Sequence, residues 1–217
     1  MVMTDYISGF IAQLDAADAQ LLLWLNGLHT PMLDQLMWIV SDKWVWIPFY
    51  LLLAGLIVRH AGWRRGTLCL VFIGLAVAAT DQTCAAILRP MVHRLRPSTP
   101  DNPLSSMIHI VNGYRGGQYG FPSCHAANSF LLAISVSLYL RRRLVWIFML
   151  AWAALVSYSR IYLGVHYPGD ILCGMVVGMT YGVLFHVAQS RIAAATMGQT
   201  DTLRPANWLT FFLSLGR

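Results

Sequence analysis

The sequence predicts an all-α integral membrane bundle, with five clear transmembrane helices and a further N-terminal stretch of ambiguous character. Three observations carry this. The chain of 217 residues is 57% apolar with a mean hydropathy of +0.57. Only 11% of its residues are charged, against about 25% in a soluble domain. The apolar residues fall into long runs near the roughly 17–25 residues that cross a bilayer as a helix.

The five runs are residues 44–58, 67–88, 125–140, 144–159 and 170–190. An earlier stretch, 19–41, is apolar but interrupted by Asn26, His29, Pro31 and Asp34. It is either a sixth span or a helix lying in the interface. The organisation is thus an N-terminal region at 1–43, a transmembrane domain at 44–190 and a cytoplasmic tail at 191–217. The tail holds an apolar patch, "NWLTFFLSL", suited to the inner membrane surface. The N-terminus has neither a basic segment nor an AxA-like site, which argues against a cleaved signal peptide.

Charge supplies the orientation. The net charge of +6 comes almost wholly from Arg, with Lys43 the single lysine. Most Arg residues flank apolar runs, so they are topology signals rather than a nucleic-acid surface. Arg59, Arg64 and Arg65 follow the first run, Arg141, Arg142 and Arg143 the third, and Arg191 the fifth. The positive-inside rule puts these loops in the cytoplasm and sends 89–124 and 160–169 outward. The outward loop 89–124 is nonetheless basic, carrying Arg89, Arg94, Arg96 and Arg115. Anion binding is the natural reason to keep such charge there. The loop is either a lid over a site or a linker.

In the fifth run Gly174, Gly178 and Gly182 recur at every fourth position. On a helix they make one smooth stripe for close approach of another helix, within the chain or across a dimer, the former favoured. The four cysteines, Cys69, Cys84, Cys124 and Cys173, show no CxxC spacing, so neither a disulfide framework nor a zinc site is expected.

Three polar clusters share the outer face: "RPMVHRLRP" at 89–97, "PSCH" at 122–125 and "SRIYLGVHYPGD" at 159–170. Arg89, Arg96 and Arg160 offer permanent, planar donor forks suited to phosphate oxygens. Ser123 adds a hydroxyl, and the helix opening there adds free N–H groups at a positive dipole end. His166 and Asp170 are four apart and share a face if the helix begins early enough. A carboxylate on one imidazole nitrogen fixes the tautomer and makes the other nitrogen more basic. His125 adjoins the cradle as a candidate proton donor. Taken singly, each motif has a bland reading as an anchor, a satisfied polar residue or a helix cap. Their conjunction on one face points to phosphate chemistry.

This pattern resembles the signature of the type-2 phosphatidic acid phosphatase superfamily, whose fold is shared with vanadium haloperoxidases. That signature is Lys, six residues, Arg-Pro; then Pro-Ser-Gly-His; then Ser-Arg, five residues, His, three residues, Asp. The third part matches fully in Ser159, Arg160, His166 and Asp170; Arg89 replaces the Lys, and Cys124 replaces the Gly. The resemblance covers roughly residues 40–190. It implies that His166 attacks phosphorus to form a phosphohistidine, aided by Asp170, while His125 protonates the leaving group. Arg89, Arg96, Ser123, Arg160 and the backbone N–H of Cys124 would hold the phosphate, with no metal and no cofactor. Cys124 is then a bystander, since a cysteine phosphatase needs an Arg six residues on, where Phe130 stands here.

The implied function is hydrolysis of a lipid phosphate at the outer face of a bacterial inner membrane. Candidate substrates are undecaprenyl diphosphate, lipid A and phosphatidylglycerol phosphate. The expected partners are that substrate and membrane lipids, with no nucleic acid. The alternatives are a non-catalytic phospholipid binder or transporter, or a vanadate-dependent haloperoxidase.

Overall fold

A computed structural model describes residues 2–197; the tail patch at 207–215 lies outside them. The elements are helical throughout the described residues: α1 (Val2–Asn26), α2 (Pro31–Ser41), a 3₁₀ turn (Lys43–Trp46), α3 (Ile47–Ala61), α4 (Trp63–Gln82), a π-helical turn (Thr83–Leu88), α5 (Arg89–Val92), a 3₁₀ turn (Ser105–Met107), α6 (Cys124–Leu140), α7 (Arg143–Tyr162) and α8 (Pro168–Met197).

Four helical segments are long and apolar enough to cross a membrane, Lys43–Ala61, Trp63–Val92, Arg143–Tyr162 and Pro168–Thr196. The fifth expected run is α6, apolar but only 17 residues long. It is the hub of the bundle, packed by α4, α7 and α8. Most of its side chains are buried, whereas Leu51, Leu75, Phe148 and Val176 on α3, α4, α7 and α8 face outward. An apolar outward belt around a buried hub is what a lipid solvent selects.

The glycine stripe settles against α6. A Cβ on Gly178 would lie 2.0 Å from the Ala127 carbonyl oxygen, and one on Gly174 2.5 Å from that of Ser123. The close approach is within the chain, and it fixes the depth at which α6 and α8 meet.

The stretch 19–41 is not one helix. It breaks at 27–30, where Thr30 Oγ1 accepts from the Leu33 N–H at 3.2 Å and Pro31 opens α2. The polar residues that interrupt its apolar pattern are stitches. Asn26 donates to the Tyr162 carbonyl at 2.7 Å and accepts from the His109 N–H at 2.8 Å. Asp34 accepts from the Tyr162 hydroxyl at 2.6 Å and lies 2.9 Å from His109 Nε2. His29 stacks on His109 with ring centroids 3.7 Å apart. These contacts gather at the end of the bundle where α7 finishes and α8 begins. Among the described residues, neither α1 nor α2 ranks with the helices long and apolar enough to span.

The long connection between α5 and α6 is folded down on that same end. The Arg96 N–H donates to the Gln118 carbonyl, the Gly120 N–H to that of Arg94, and the Ser98 N–H to that of Gly164. The connection's own Ile108 and Val111 are buried. Arg115, expected among the anion-binding charges, instead donates to the Ser98 carbonyl and the Ser105 hydroxyl, and so staples the loop to itself.

Candidate active site

The three polar clusters converge. α7 runs on to Tyr162, so Arg160 sits inside the helix and not in the 160–169 turn, which shrinks to 163–167. His166 and Asp170 do not share a helical face either, because α8 begins at Pro168. A cap joins them instead. Pro168 and Asp170 are the first and third helical residues, and Asp170 Oδ2 reaches back 3.0 Å to the Tyr167 N–H, in the manner of the third residue of a capping box. That places Oδ2 3.4 Å from His166 Nδ1.

The other ring nitrogen of His166 lies 2.9 Å from Arg96 Nη1. A guanidinium only donates, so Nε2 must carry the lone pair and Nδ1 the proton; Asp170 Oδ2 lies near Nδ1 at ion-pair distance, without a hydrogen bond between them. This is the tautomer a nucleophilic imidazole requires. Burial, with Arg96, Arg160 and Arg89 nearby, holds the His166 pKa well below the usual 6.5. The ring is therefore neutral at neutral pH. Burial and the two other cations bring Arg96 down to about 10, still charged.

Each cation has a distinct holder. Arg96 Nη1 also donates to the Val165 carbonyl at 2.9 Å. Arg160 donates from Nη1 to the Ser41 hydroxyl and from Nη2 to Tyr114, the latter at 3.1 Å. Arg89 Nη2 approaches Cys124 Sγ at 3.2 Å, so the two positions that depart from the family signature touch one another. The Nε atoms of Arg89, Arg96 and Arg160 are all buried without a hydrogen-bond partner. Buried donors are normally satisfied, and like charges gathered in a low dielectric repel. Three such guanidiniums gathered near His166 make a site suited to an anion.

Ser123 caps α6, its Oγ accepting from the Ala126 N–H at 3.4 Å, and its own N–H donates to the Asp170 carbonyl at 3.1 Å. The cap ties the start of α6 to the start of α8. The N–H groups of Cys124 and His125, the first two of α6, have no partner within the helix, which leaves them available to an anion. His125 follows Cys124 and lies in the field of Arg160, His166, Arg96 and Lys43.

Several residues at the site carry no signature. Ser41 and Tyr114 hold Arg160 but lie far from it in sequence. Gly120 covers the His–Asp pair: a Cβ there would meet Arg96 Cγ at 3.1 Å and Asp170 Oδ2 at 3.2 Å. Arg94 is the largest revision. It is not a free cation for phosphate, because Nη1 binds Asp170 Oδ1 at 3.0 Å while Nη2 binds Asp18 Oδ2 at 2.7 Å and Asp15 Oδ1 at 3.1 Å. Asp18 Oδ1 also accepts from the Gly169 N–H at 2.8 Å, and the Arg94 fork lies 3.9 Å above the Tyr167 ring. α1 thereby clamps the carboxylate that faces His166. The one available hint was the RLR spacing beside Arg96, which is silent about a partner more than 70 residues away.

Comparisons with known proteins identify the family. The PAP2 superfamily model matches residues 66–193. The lipid A 4'-phosphatase of Bacteroides thetaiotaomicron is 44% identical over 188 residues, covering 87% of this chain and 83% of the relative. The lipid A 4'-phosphatase of Porphyromonas gingivalis is 34% identical over 166 residues, covering 76% and 70%. In fold, the chain is similar to a transmembrane PAP2-type phosphatidylglycerolphosphate phosphatase from Bacillus subtilis, with a TM-score of 0.62 at 21% identity, covering 83% of this chain and 88% of that one. This chain belongs to the PAP2 superfamily and is a membrane-embedded lipid phosphatase.

Proposed function

We propose that the protein removes a phosphate monoester from a lipid of the lipid A type, at the outer face of the bacterial inner membrane, through a phosphohistidine. The observation that carries the chemistry is the arrangement of Arg89, Arg96 and Arg160, each with a buried unmatched Nε, around a neutral His166 whose Nε2 bears the lone pair. The two relatives above, both lipid A 4'-phosphatases, support the substrate class.

In the proposed cycle the phosphate enters the cradle and draws the Arg96 fork away from Nε2. His166 Nε2 attacks phosphorus, and Asp170 stabilises the positive imidazole by accepting from Nδ1–H. His125 gives a proton to the leaving oxygen. Water then attacks the phosphohistidine, with His125 now taking its proton, and inorganic phosphate leaves. Arg89, Arg96, Arg160 and the amide ends of α6 hold the equatorial oxygens, where charge is stabilised through the transition state. With the charge neutralised by guanidinium groups, the cycle needs no divalent ion.

The loop charges support the outward orientation: Arg59, Arg64, Arg65 and Arg141–Arg143 lie at the opposite ends of the spans from the site. The test is phosphate release by the purified protein from lipid A, phosphatidic acid and undecaprenyl diphosphate, with and without EDTA. Release from lipid A that survives EDTA and is inhibited by vanadate is expected. Loss in EDTA with rescue by magnesium would overturn the metal-free cradle. A cysteine introduced in the 98–118 loop should react with an impermeant thiol reagent in intact spheroplasts, and one beside Arg142 should not; the reverse would place the site in the cytoplasm.

A further inference from the structure

A cavity of about 550 Å³ opens from the site into the bundle between α3, α4, α6 and α7, a size within the range of ligand pockets. At the site end Ser41, Cys124 and His125 line it. Deeper, the walls are apolar, formed by residues such as Leu53, Val77 and Trp152. One polar pair interrupts these walls, Asp81 on α4 and Asn128 on α6, with Asn128 Nδ2 donating to Asp81 Oδ1 at 2.8 Å.

The position of this pair is informative. Asn128 is one helical turn from Cys124 and His125, on the same face. Asp81 lies eight residues before Arg89, about 12 Å down the helix axis at 1.5 Å per residue. The π-helical turn Thr83–Leu88 falls between them, and such turns are frequent at functional sites. An ionisable side chain inside a spanning helix is costly and rarely placed without a task. The cradle does not use Asp81, and the Asn128 Oδ1 is buried without a partner.

We infer that this cavity holds the leaving half of the lipid substrate, and that Asp81 with Asn128 selects a neutral leaving group bearing hydrogen-bond donors, such as the hydroxyl or amide N–H of an acylated sugar, over an anionic one. The inference rests on the lipid phosphatase reading and deepens it. A carboxylate accepts hydrogen bonds and cannot donate them, so a sugar hydroxyl or amide satisfies it. The second phosphate of a prenyl diphosphate would instead bring like charge toward Asp81 in a poorly screened cavity. That repulsion is a discriminating element against the wrong substrate. A leaving group without donors, as in phosphatidic acid, neither gains nor clashes. The acyl chain fills the apolar walls beyond the pair.

The test compares the wild type with Asp81→Asn, which keeps the shape and removes the charge. The readout is kcat/KM for three lipids in detergent: an acylated glucosamine disaccharide 4'-phosphate, phosphatidic acid and farnesyl diphosphate. The ratio of glycolipid to farnesyl diphosphate should fall by about tenfold or more in the variant, the fold-change expected for one hydrogen bond to a charged group. Phosphatidic acid should change by less than about threefold. A merely structural Asp81 would lower all three by one common factor, and that result overturns the inference while leaving the lipid phosphatase reading intact. If the wild type releases phosphate from none of the three, the reading itself fails and the inference with it. Should Asp81→Asn fail to fold, Asp81→Ser removes the same charge with a smaller side chain. It should lower the ratio of glycolipid to farnesyl diphosphate in the same direction; equal loss on all three substrates would again overturn the selection.

Discussion

The seam between α6 and α8 uses two different kinds of physics along its length. At depth, Gly178 and Gly182 lie against the Ala127 and Leu131 carbonyls with no charged group involved. At the site end, the same two helices are joined by the Ser123 N–H on the Asp170 carbonyl, and Asp170 is held in turn by Arg94 and Tyr167. The deep seam is steric: it depends on the absence of atoms, and one added carbon removes it. The upper seam is electrostatic and distributed over α1, the connection between α5 and α6, the 163–167 turn and α8, so a lost member weakens geometry without dissolving the bundle. The fold therefore rests on the first and the chemistry on the second.

The harshest break of the deep seam is Gly178→Leu. Its Cβ would lie 2.0 Å from a backbone oxygen that cannot swing aside. Overpacking of this kind costs about 1–3 kcal/mol or more; because the helices must part, loss of the monodisperse folded peak in size-exclusion chromatography is expected. Gly74→Ala, where a Cβ meets nothing within 4 Å, should leave that peak unchanged.

Next in size is His166→Ala at the upper seam. Activity should fall by about 10³-fold or more, the scale for removing a covalent catalyst, with the chromatographic peak retained. Near-wild-type turnover would break the histidine mechanism.

Arg94→Ala, also at the upper seam, should have a smaller effect than His166→Ala. It strands the Asp170 carboxylate and frees α1, so kcat should drop about 10–100-fold, with KM changing little because Arg94 does not face the phosphate. Asp18→Asn should reproduce a weaker form of the same loss. Arg94→Lys should recover part of kcat, which a purely structural role for the fork would not predict.

The titration of His166 gives a subtler contrast. Its folded pKa is held well below its unfolded value of 6.5. As pH falls below about 6.5 the unfolded chain takes up a proton that the folded ring refuses. The stabilisation is thus complete above about 6.5 and declines as pH drops toward the folded pKa. Thermal melting at a series of pH values should show a shallower acid decline in His166→Asn than in the wild type.

The smallest effect is expected at Cys124. Its thiol touches Arg89, but the proposed task there belongs to the backbone amide. Cys124→Gly and Cys124→Ser should keep activity within about threefold, the range of substitutions that remove no essential group. If both were inactive while His166→Ala turned over, the nucleophile would be the thiol.

The sequence by itself determined the helices that carry the bundle and most of the residues at the site. Hydropathy runs have the length of a bilayer, and an Arg-Pro, a Pro-Ser and a His-x-x-x-Asp keep local spacings that survive without knowledge of the fold. It also marked the glycine stripe, because helical periodicity is a local property. Only the tertiary structure decided how these parts are held. Arg94 reads as one more outward cation until Asp15, Asp18 and Asp170 surround it; Ser41 and Tyr114 read as ordinary polar residues until Arg160 reaches them. The polar breaks at Asn26 and Asp34 gain their purpose from Tyr162 and His109, some 75 to 136 residues away. The physical reason is common to all of them. A side chain's hydrogen-bond partner across the bundle is chosen by where helices cross, and crossing depth is set by close contacts such as Gly178 on Ala127, which no periodicity along one strand of sequence encodes.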